Sequence, residues 1–361
     1  MRNHLGWAVC VAISNHPPPS PDQISINTSE NGGEYVETSG STNTLELNSD
    51  KMTEIKAENH YFKADGIKFH YTIRGTGGPI LVAQSVGWGP SAAYLWNLLQ
   101  PLEKLFTVVY FEPRGNGLSG RPSDESQMSN IVMAHDLEHL REHLDLASFP
   151  VLFGHSNGGC IATAYAALYP NKVEKLLLMD PEINGDVPTD NFTRFATKRK
   201  DDPVYGTALQ ALVGAFGNPP QTDEAFVELM GKILPYYFND TNKAAMLMES
   251  MEIDRVPPRS WAFLQQGKLD RENPFNHLAE AAKVKAKTLI VHGRDDALCG
   301  LQRARELHGR IDESHLVVLD CGHFPVIEKP EEFWAAVNRF LSMWKAGTQW
   351  PRDECSRPWR G

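Results

Sequence analysis

Residues 151–168 read without a break as strand, turn and helix: Val151-Leu-Phe153, then Gly154-His155-Ser156-Asn157-Gly158-Gly159, then the small-residue run Ile161-Ala-Thr-Ala-Tyr-Ala-Ala-Leu168. No other stretch limits the fold as strongly. A strand that passes into a helix through one serine with glycine two residues away on either side needs a strained turn. Its backbone must run so close to its neighbours that a Cβ has no room. The pattern G-x-S-x-G in this context puts the serine hydroxyl in the open at the start of the helix, where the helix dipole favours developing negative charge.

The rest of the chain supplies further units of the same kind. Gly66-Ile-Lys-Phe-His-Tyr-Thr-Ile73 alternates like a strand. Ile80-Leu-Val-Ala83, Thr107-Val-Val-Tyr-Phe111, Val173 to Met179, Thr288-Leu-Ile-Val291 and Leu316-Val-Val-Leu319 are short apolar strands. Helical patterns lie between several of them: one holding Tyr94, Leu95, Leu98 and Leu99, one from Ile131 to Leu144, and a closing one from Glu331 to about Trp344. Short apolar strands alternating with helices imply a parallel sheet covered on both faces. Between Asp180 and about Lys283 the alternation stops. The patterns there are helical: 192–198, 208–216, 224–237, 243–251 and 261–266. The expected organisation is a discontinuous core of residues 56–182 and 284–345, a helical cap over 183–283, a disordered extension over 1–55 and a tail over 346–361.

Residues 14–50 are rich in Ser, Thr, Asn, Pro and Gly and hold too little apolar surface to offset ordering entropy. Before them, Leu5 to Ile13 is a short apolar run after Arg2, ending in Ala12-Ile13-Ser14 like a weak signal peptide. Sequons at Asn27, Asn191 and Asn239 would suit secretion, but the domain-like start at Met52 favours a cytoplasmic protein, with secretion as the alternative. No apolar run reaches the length of a membrane span. The formal charge of −10 argues against a nucleic-acid partner. The five cysteines, at 10, 160, 299, 321 and 355, are scattered and form no C-x-x-C pair, so they read as free thiols without a zinc site or disulfide framework.

A serine hydroxyl needs a base to take its proton. His323 follows the last strand in Asp320-Cys-Gly-His-Phe-Pro325 and is the best placed of thirteen histidines. His135, His139 and His143 recur at helical spacing, which reads as an ordinary helix face. The acid that orients the base belongs after a strand between serine and histidine, and His292-Gly293-Arg-Asp295-Asp296 supplies two carboxylates. Chemistry alone does not choose between them. Oxyanion donors are expected from the backbone N–H of Asn157 and from the loop Gln84-Ser-Val-Gly-Trp-Gly-Pro90, with Val86 as the donor there. Trp88 of that loop and Tyr237 of the cap are candidate pocket walls. No cofactor and no metal are expected; the partner is a small-molecule substrate, and the sequence leaves the oligomeric state open.

Taken together, these residues resemble the α/β-hydrolase superfamily, and within it proline iminopeptidase-like enzymes and fungal hydrolases of secondary metabolism. The resemblance rests on Tyr71-Thr-Ile-Arg-Gly75, Phe111-Glu-Pro-Arg-Gly-Asn-Gly-Leu-Ser119, Asp136 to Leu144, Gly154 to Gly159, Gly293-Arg-Asp-Asp296 and Gly322 to Phe333. It implies a mostly parallel sheet with an inserted cap and a triad of Ser156, His323 and Asp296, the acid being the third residue after the glycine. The chain departs from the peptidase pattern: Gln84-Ser85 replaces the family's His-Gly, and Asn157 follows the nucleophile in place of Trp or Tyr. Cap carboxylates that could take a free amine are Glu224, Glu228, Glu249 and Glu252. The expected activity is hydrolysis of an ester, lactone or amide. The alternatives are proline iminopeptidase, carbon–carbon bond hydrolysis and, in another class, a slow-turnover ligand receptor.

Overall fold

The computed structural model of the protein describes residues 59–75, 77–185, 190–251, 253, 255–272 and 274–342. The expected extension over 1–55, the tail over 346–361, the Asn27 sequon, Cys10, Cys355 and Glu252 lie outside these residues.

Among the described residues, eight strands form one sheet: β1 (Asn59–Ala64), β2 (Ile67–Arg74), β3 (Ile80–Gln84), β4 (Thr107–Glu112), β5 (Val151–His155), β6 (Lys175–Met179), β7 (Lys287–Gly293) and β8 (Ser314–Leu319). Their order is β1-β2-β4-β3-β5-β6-β7-β8. The β1 and β2 hairpin pairs antiparallel, as does β2 with β4, and every other pairing is parallel. The helices are α1 (Tyr94–Leu99), α2 (Asn130–His143), α3 (Asn157–Leu168), α4 (Asn191–Arg199), α5 (Pro203–Gly217), α6 (Asp223–Ile233), α7 (Ala244–Ser250), α8 (Ser260–Glu272), α9 (His277–Glu280), α10 (Leu301–His308), α11 (Pro325–Glu328) and α12 (Pro330–Ser342).

Strands β3 to β7 are buried along nearly their whole length because both faces of the sheet are covered there, while β1 is largely exposed and β8 half-buried at the sheet's two edges. On one face Val82, Leu152 and Ile290 meet Met133 and Leu137 of α2, Ile161 and Tyr165 of α3, and Leu301, Ala304 and Leu307 of α10. On the other, Leu81, Phe153 and Val291 meet Leu95 and Leu99 of α1 and Phe333, Val337 and Phe340 of α12. Successive strand residues point to opposite faces, and the two clusters divide β3 to β8 in that alternation, while β1 and β2 contribute to the first cluster alone.

Among the described residues, six α-helices, α4 to α9, separate β6 from β7. Phe226 and Met230 of α6 and Leu247 of α7 join the second cluster. Phe195, Ala208 and Tyr236 form a smaller one with Ala297, which lies in the loop after β7. Where the sequence pattern suggested a helix starting at 208, α5 begins at Pro203. Pro203 takes the first helical position, and the Asp202 carboxylate caps the N–H groups of Val204 and Tyr205. β6 begins at Lys175, and Val173 contributes only an isolated bridge to Phe149. The short helix α10 gave no clear pattern, because only Leu301, Arg303, Ala304 and Leu307 of Leu-Gln-Arg-Ala-Arg-Glu-Leu-His are buried. No helix among the described residues is long and apolar enough to cross a membrane.

Candidate active site

The loops that follow β3, β5, β6, β7 and β8 all leave the carboxyl ends of parallel strands, where α/β sheets gather their binding sites. Ser156 occupies the turn between β5 and α3 with φ 53° and ψ −123°, a conformation that L residues rarely take. Holding a non-glycine residue there costs about 1–3 kcal/mol. The packing around it explains how the turn persists. A Cβ on Gly154 would lie 2.5 Å from the Gly158 carbonyl oxygen, and one on Gly158 would strike the Gln84 carbonyl. The turn is pinned by Ser156 N–H to Met179 O at 3.0 Å and Glu182 N–H to Ser156 O at 2.9 Å. Ser156 itself stays half-buried.

His323, buried in the loop after β8, donates from Nδ1 to Asp296 Oδ2 at 2.7 Å. That leaves Nε2 as the basic nitrogen. Asp296 Oδ1 accepts the Leu298 N–H at 2.8 Å and the Cys299 N–H at 3.0 Å. Burial alone would push this carboxyl up, but the His323 ring, its hydrogen bond, His292 and the Leu298 N–H hold it below the usual value. Asp295 points away, toward Lys198 and Asn239. The two loops meet at Gly293, where a Cβ would overlap the Gly322 carbonyl.

Several neighbours that the sequence did not single out complete the arrangement. His155 sits against His323 with ring centroids 4.8 Å apart, and its Nε2 donates to the His323 carbonyl at 3.2 Å. Burial lowers its basicity well below normal, with the nearby His323 adding to this, so it acts as a neutral prop. Asp180, at φ 42°, accepts the Gly293 N–H at 2.8 Å and lies behind Asp296. Burial and the Asp296 charge push the Asp180 carboxyl well up. The two neighbouring carboxyls are thus pushed in opposite directions. Asn191 carries a sequon, yet its buried amide donates to the Ala297 carbonyl at 3.0 Å and so ties α4 to the acid loop.

Asn157 does more than its backbone suggests. Its Oδ1 accepts the Gly87 N–H at 3.0 Å and Gln266 Nε2 at 2.9 Å; its Nδ2 donates to Asn130 Oδ1 at 3.0 Å and Glu182 Oε2 at 2.9 Å. The loop after β3 is thereby fixed to the helix that carries the serine. In that loop the N–H groups of Ser85, Gly87 and Gly89 go to Phe111 O, Asn157 Oδ1 and Asn116 Oδ1. Val86 lies between them, half-buried, its N–H near the Tyr94 hydroxyl. Trp88 packs against Phe263 of α8 at 5.6 Å and donates from Nε1 to Glu182 at 3.4 Å. Tyr237 sets its ring edge-on to His323 at 5.5 Å, and its carbonyl accepts the His323 N–H at 2.7 Å.

Other candidates disperse. His135 bonds to Tyr169, His139 to Asp65, and His143 stacks on Phe62, so the three do not converge. Glu224, Glu228 and Glu249 are exposed, and Glu228 pairs with Lys232. Cys160, Cys299 and Cys321 are buried free thiols. Donor atoms of Asp296, Cys299 and His323 cluster within 4.8 Å, as do those of Asp180, His292 and Asp296. Both groups share Asp296, whose oxygens are already taken by His323 and two N–H groups. The Cys299 thiol lies within reach of Ser156, and burial, helped by the surrounding carboxyls, pushes it well up, so it stays protonated.

With this geometry in view, the chain matches the alpha/beta hydrolase fold family over residues 86–330. It is 26% identical over 300 residues to the 2-hydroxy-6-oxo-2,4-heptadienoate hydrolase of Pseudomonas putida, covering 81% of this chain and 99% of that protein. It is 29% identical over 287 residues to a 2-hydroxymuconate semialdehyde hydrolase of a Pseudomonas sp., covering 77% and 92%. Among solved structures, the enol-lactonase of Burkholderia xenovorans superposes with a TM-score of 0.58 at 21% identity, covering 78% of this chain and 100% of the other.

Proposed function

The chain belongs to the alpha/beta hydrolase fold family, and from that premise we propose that it is a serine hydrolase acting on an ester or lactone of a small organic substrate through an acyl-enzyme. The observation that carries the reading is the His323–Asp296 hydrogen bond of 2.7 Å, set at the same sheet edge as a serine held at φ 53°. Ser156 Oγ attacks the carbonyl carbon while His323 Nε2 takes its proton. Asp296 holds the ring's tautomer and stabilises the imidazolium. The backbone N–H groups of Asn157 and Val86 receive the negative charge on the carbonyl oxygen. His323 then returns the proton to the leaving alcohol, and water repeats the sequence on the acyl-enzyme. Trp88 and Tyr237 wall the recess.

A second reading is hydrolysis of a carbon–carbon bond next to a ketone, favoured by the names of relatives that match over three quarters of the chain or more. The same serine and histidine serve it, with a carbon leaving group that must be stabilised as an enol. Proline iminopeptidase activity draws less support, since Glu224, Glu228 and Glu249, among the carboxylates expected to hold a free amine, stand on exposed helix faces. The separating experiment compares p-nitrophenyl butyrate, a phenyl-substituted 1,5-diketone and proline-β-naphthylamide, with wild type beside Ser156→Ala. Serine-dependent ester cleavage at least tenfold faster than either other substrate is expected. Faster diketone cleavage would install the second reading, and cleavage surviving in Ser156→Ala would contradict both.

A further inference from the structure

One acidic side chain near the nucleophile is not used by this chemistry. Glu182 lies on the loop after β6, and its N–H donates to the Ser156 carbonyl at 2.9 Å, so its position is set by the nucleophile's own turn. Oε2 is held from two sides, by Asn157 Nδ2 at 2.9 Å and Trp88 Nε1 at 3.4 Å. Oε1 has no hydrogen-bond partner among the described residues. The surrounding polar groups Asn157, Asn130 and Gln266 are buried, whereas Glu182 keeps partial exposure, as Ser156, Val86 and Trp88 do. Glu182 thus stands beside the nucleophile's turn, bonded to it through its N–H and to Asn157 and Trp88 through its side chain.

Its charge is not balanced by a cation. Neither Glu182 nor Asp270, which accepts Asn130 Nδ2 at 2.7 Å one step along the same network, has a Lys or Arg ion-pair partner among the described residues. Burial pushes the Glu182 carboxyl up, opposed by its hydrogen bonds from Asn157 and Trp88 and by His323 of the catalytic pair. An anchor for Asn157 and Trp88 needs only one acceptor oxygen, which a glutamine would supply. The second oxygen, which has no partner among the described residues, is what that role leaves unexplained.

We propose, resting on the serine-hydrolase reading, that Glu182 is a specificity-determining residue: it selects acyl groups that carry a hydrogen-bond donor, an ammonium or hydroxyl, and turns away acyl groups that carry a carboxylate. A donor on the acyl chain meets a fixed acceptor. A carboxylate at the same place must either lie against a like charge or bring a proton with it. Such a site discriminates because the wrong partner leaves a buried polar group unpaired or repelled.

The test uses the full chain and three p-nitrophenyl esters of similar length at about pH 8: propionate, the half-ester of succinate and the 3-aminopropionate. Wild type is expected to favour the ammonium ester over the carboxylate ester in kcat/KM. Glu182→Gln keeps the acceptor for Asn157 and Trp88 but places an amide N–H where Oε1 stands. It is expected to shift the carboxylate-to-ammonium ratio in kcat/KM by about tenfold or more toward the carboxylate. Glu182→Asp, which keeps the charge, should stay on the wild-type side. A ratio unchanged within twofold in Glu182→Gln, with Ser156-dependent cleavage intact, would overturn the specificity role and leave Glu182 as an anchor. Loss of Ser156 dependence for all three esters would instead overturn the underlying reading.

Discussion

At the scale of single residues, the choice between two adjacent carboxylates carries the most consequence. Asp296 is enclosed, hydrogen-bonded to His323 and braced by two backbone N–H groups, while Asp295 turns toward Lys198. Asp296→Asn should lower kcat by about 10³–10⁴-fold, because the amide would support the wrong tautomer, while Asp295→Asn stays within about threefold of wild type. Equal losses in steady-state assays of the two variants would remove the assignment. Asp180 gives a prediction of another kind. Its carboxyl is raised well above the ordinary value by burial and by the Asp296 charge, so the folded state holds a proton that the unfolded chain releases above about pH 4. The unfolded chain then binds fewer protons, and this group's contribution to stability falls as pH rises from about 4 toward its folded value. Asp180→Asn keeps an acceptor for the Gly293 N–H and removes the titration. Its melting temperature should therefore drop less between about pH 5 and pH 8 than that of wild type, as thermal melts at the two pH values will show.

At the scale of elements, the site depends on loops crossing with almost no clearance. A methyl on Gly293 would enter the space of the Gly322 carbonyl and pry the acid loop from the histidine loop. Gly293→Ala should cost about 1–3 kcal/mol of stability and, by moving His323 against Ser156, about 10²-fold in kcat. Circular dichroism melts and ester turnover on the same sample check both. The strand–turn–helix at 151–168 was open to sequence reading because its glycines answer a local steric demand, β2 because its apolar residues alternate, and β3 to β8 because both faces of the sheet are apolar there. α10 was not, since a helix covered on one narrow stripe leaves a mostly charged sequence. Glu182, Asn130, Gln266 and Asn191 also escaped notice. Each works through a partner far away in the chain, as in the bond from Asn191 to Ala297, and no short motif encodes such a contact. An Asn-x-Thr triplet at 191 even pointed outward to a glycan, while its buried amide is committed to a loop.

At the scale of the whole molecule, the sheet and every side chain assigned a part in catalysis lie between Asn59 and Ser342. A chain beginning at Met52 should retain the melting temperature and kcat of the full chain within experimental error, and lost activity in well-folded protein would contradict this. The segment inserted between β6 and β7 brings Tyr237, Gln266 and Asn191 beside the residues around Ser156 and His323. The central claim is that one serine is activated by one base. Its most direct test is stoichiometric labelling with a p-nitrophenyl alkylphosphonate followed by peptide mass mapping. We predict about one phosphonyl group per chain, on Ser156, absent from Ser156→Ala and strongly slowed in Asp296→Asn. Folded wild-type protein that takes up no label, or a Ser156→Ala variant labelled as fast as wild type, would contradict the account.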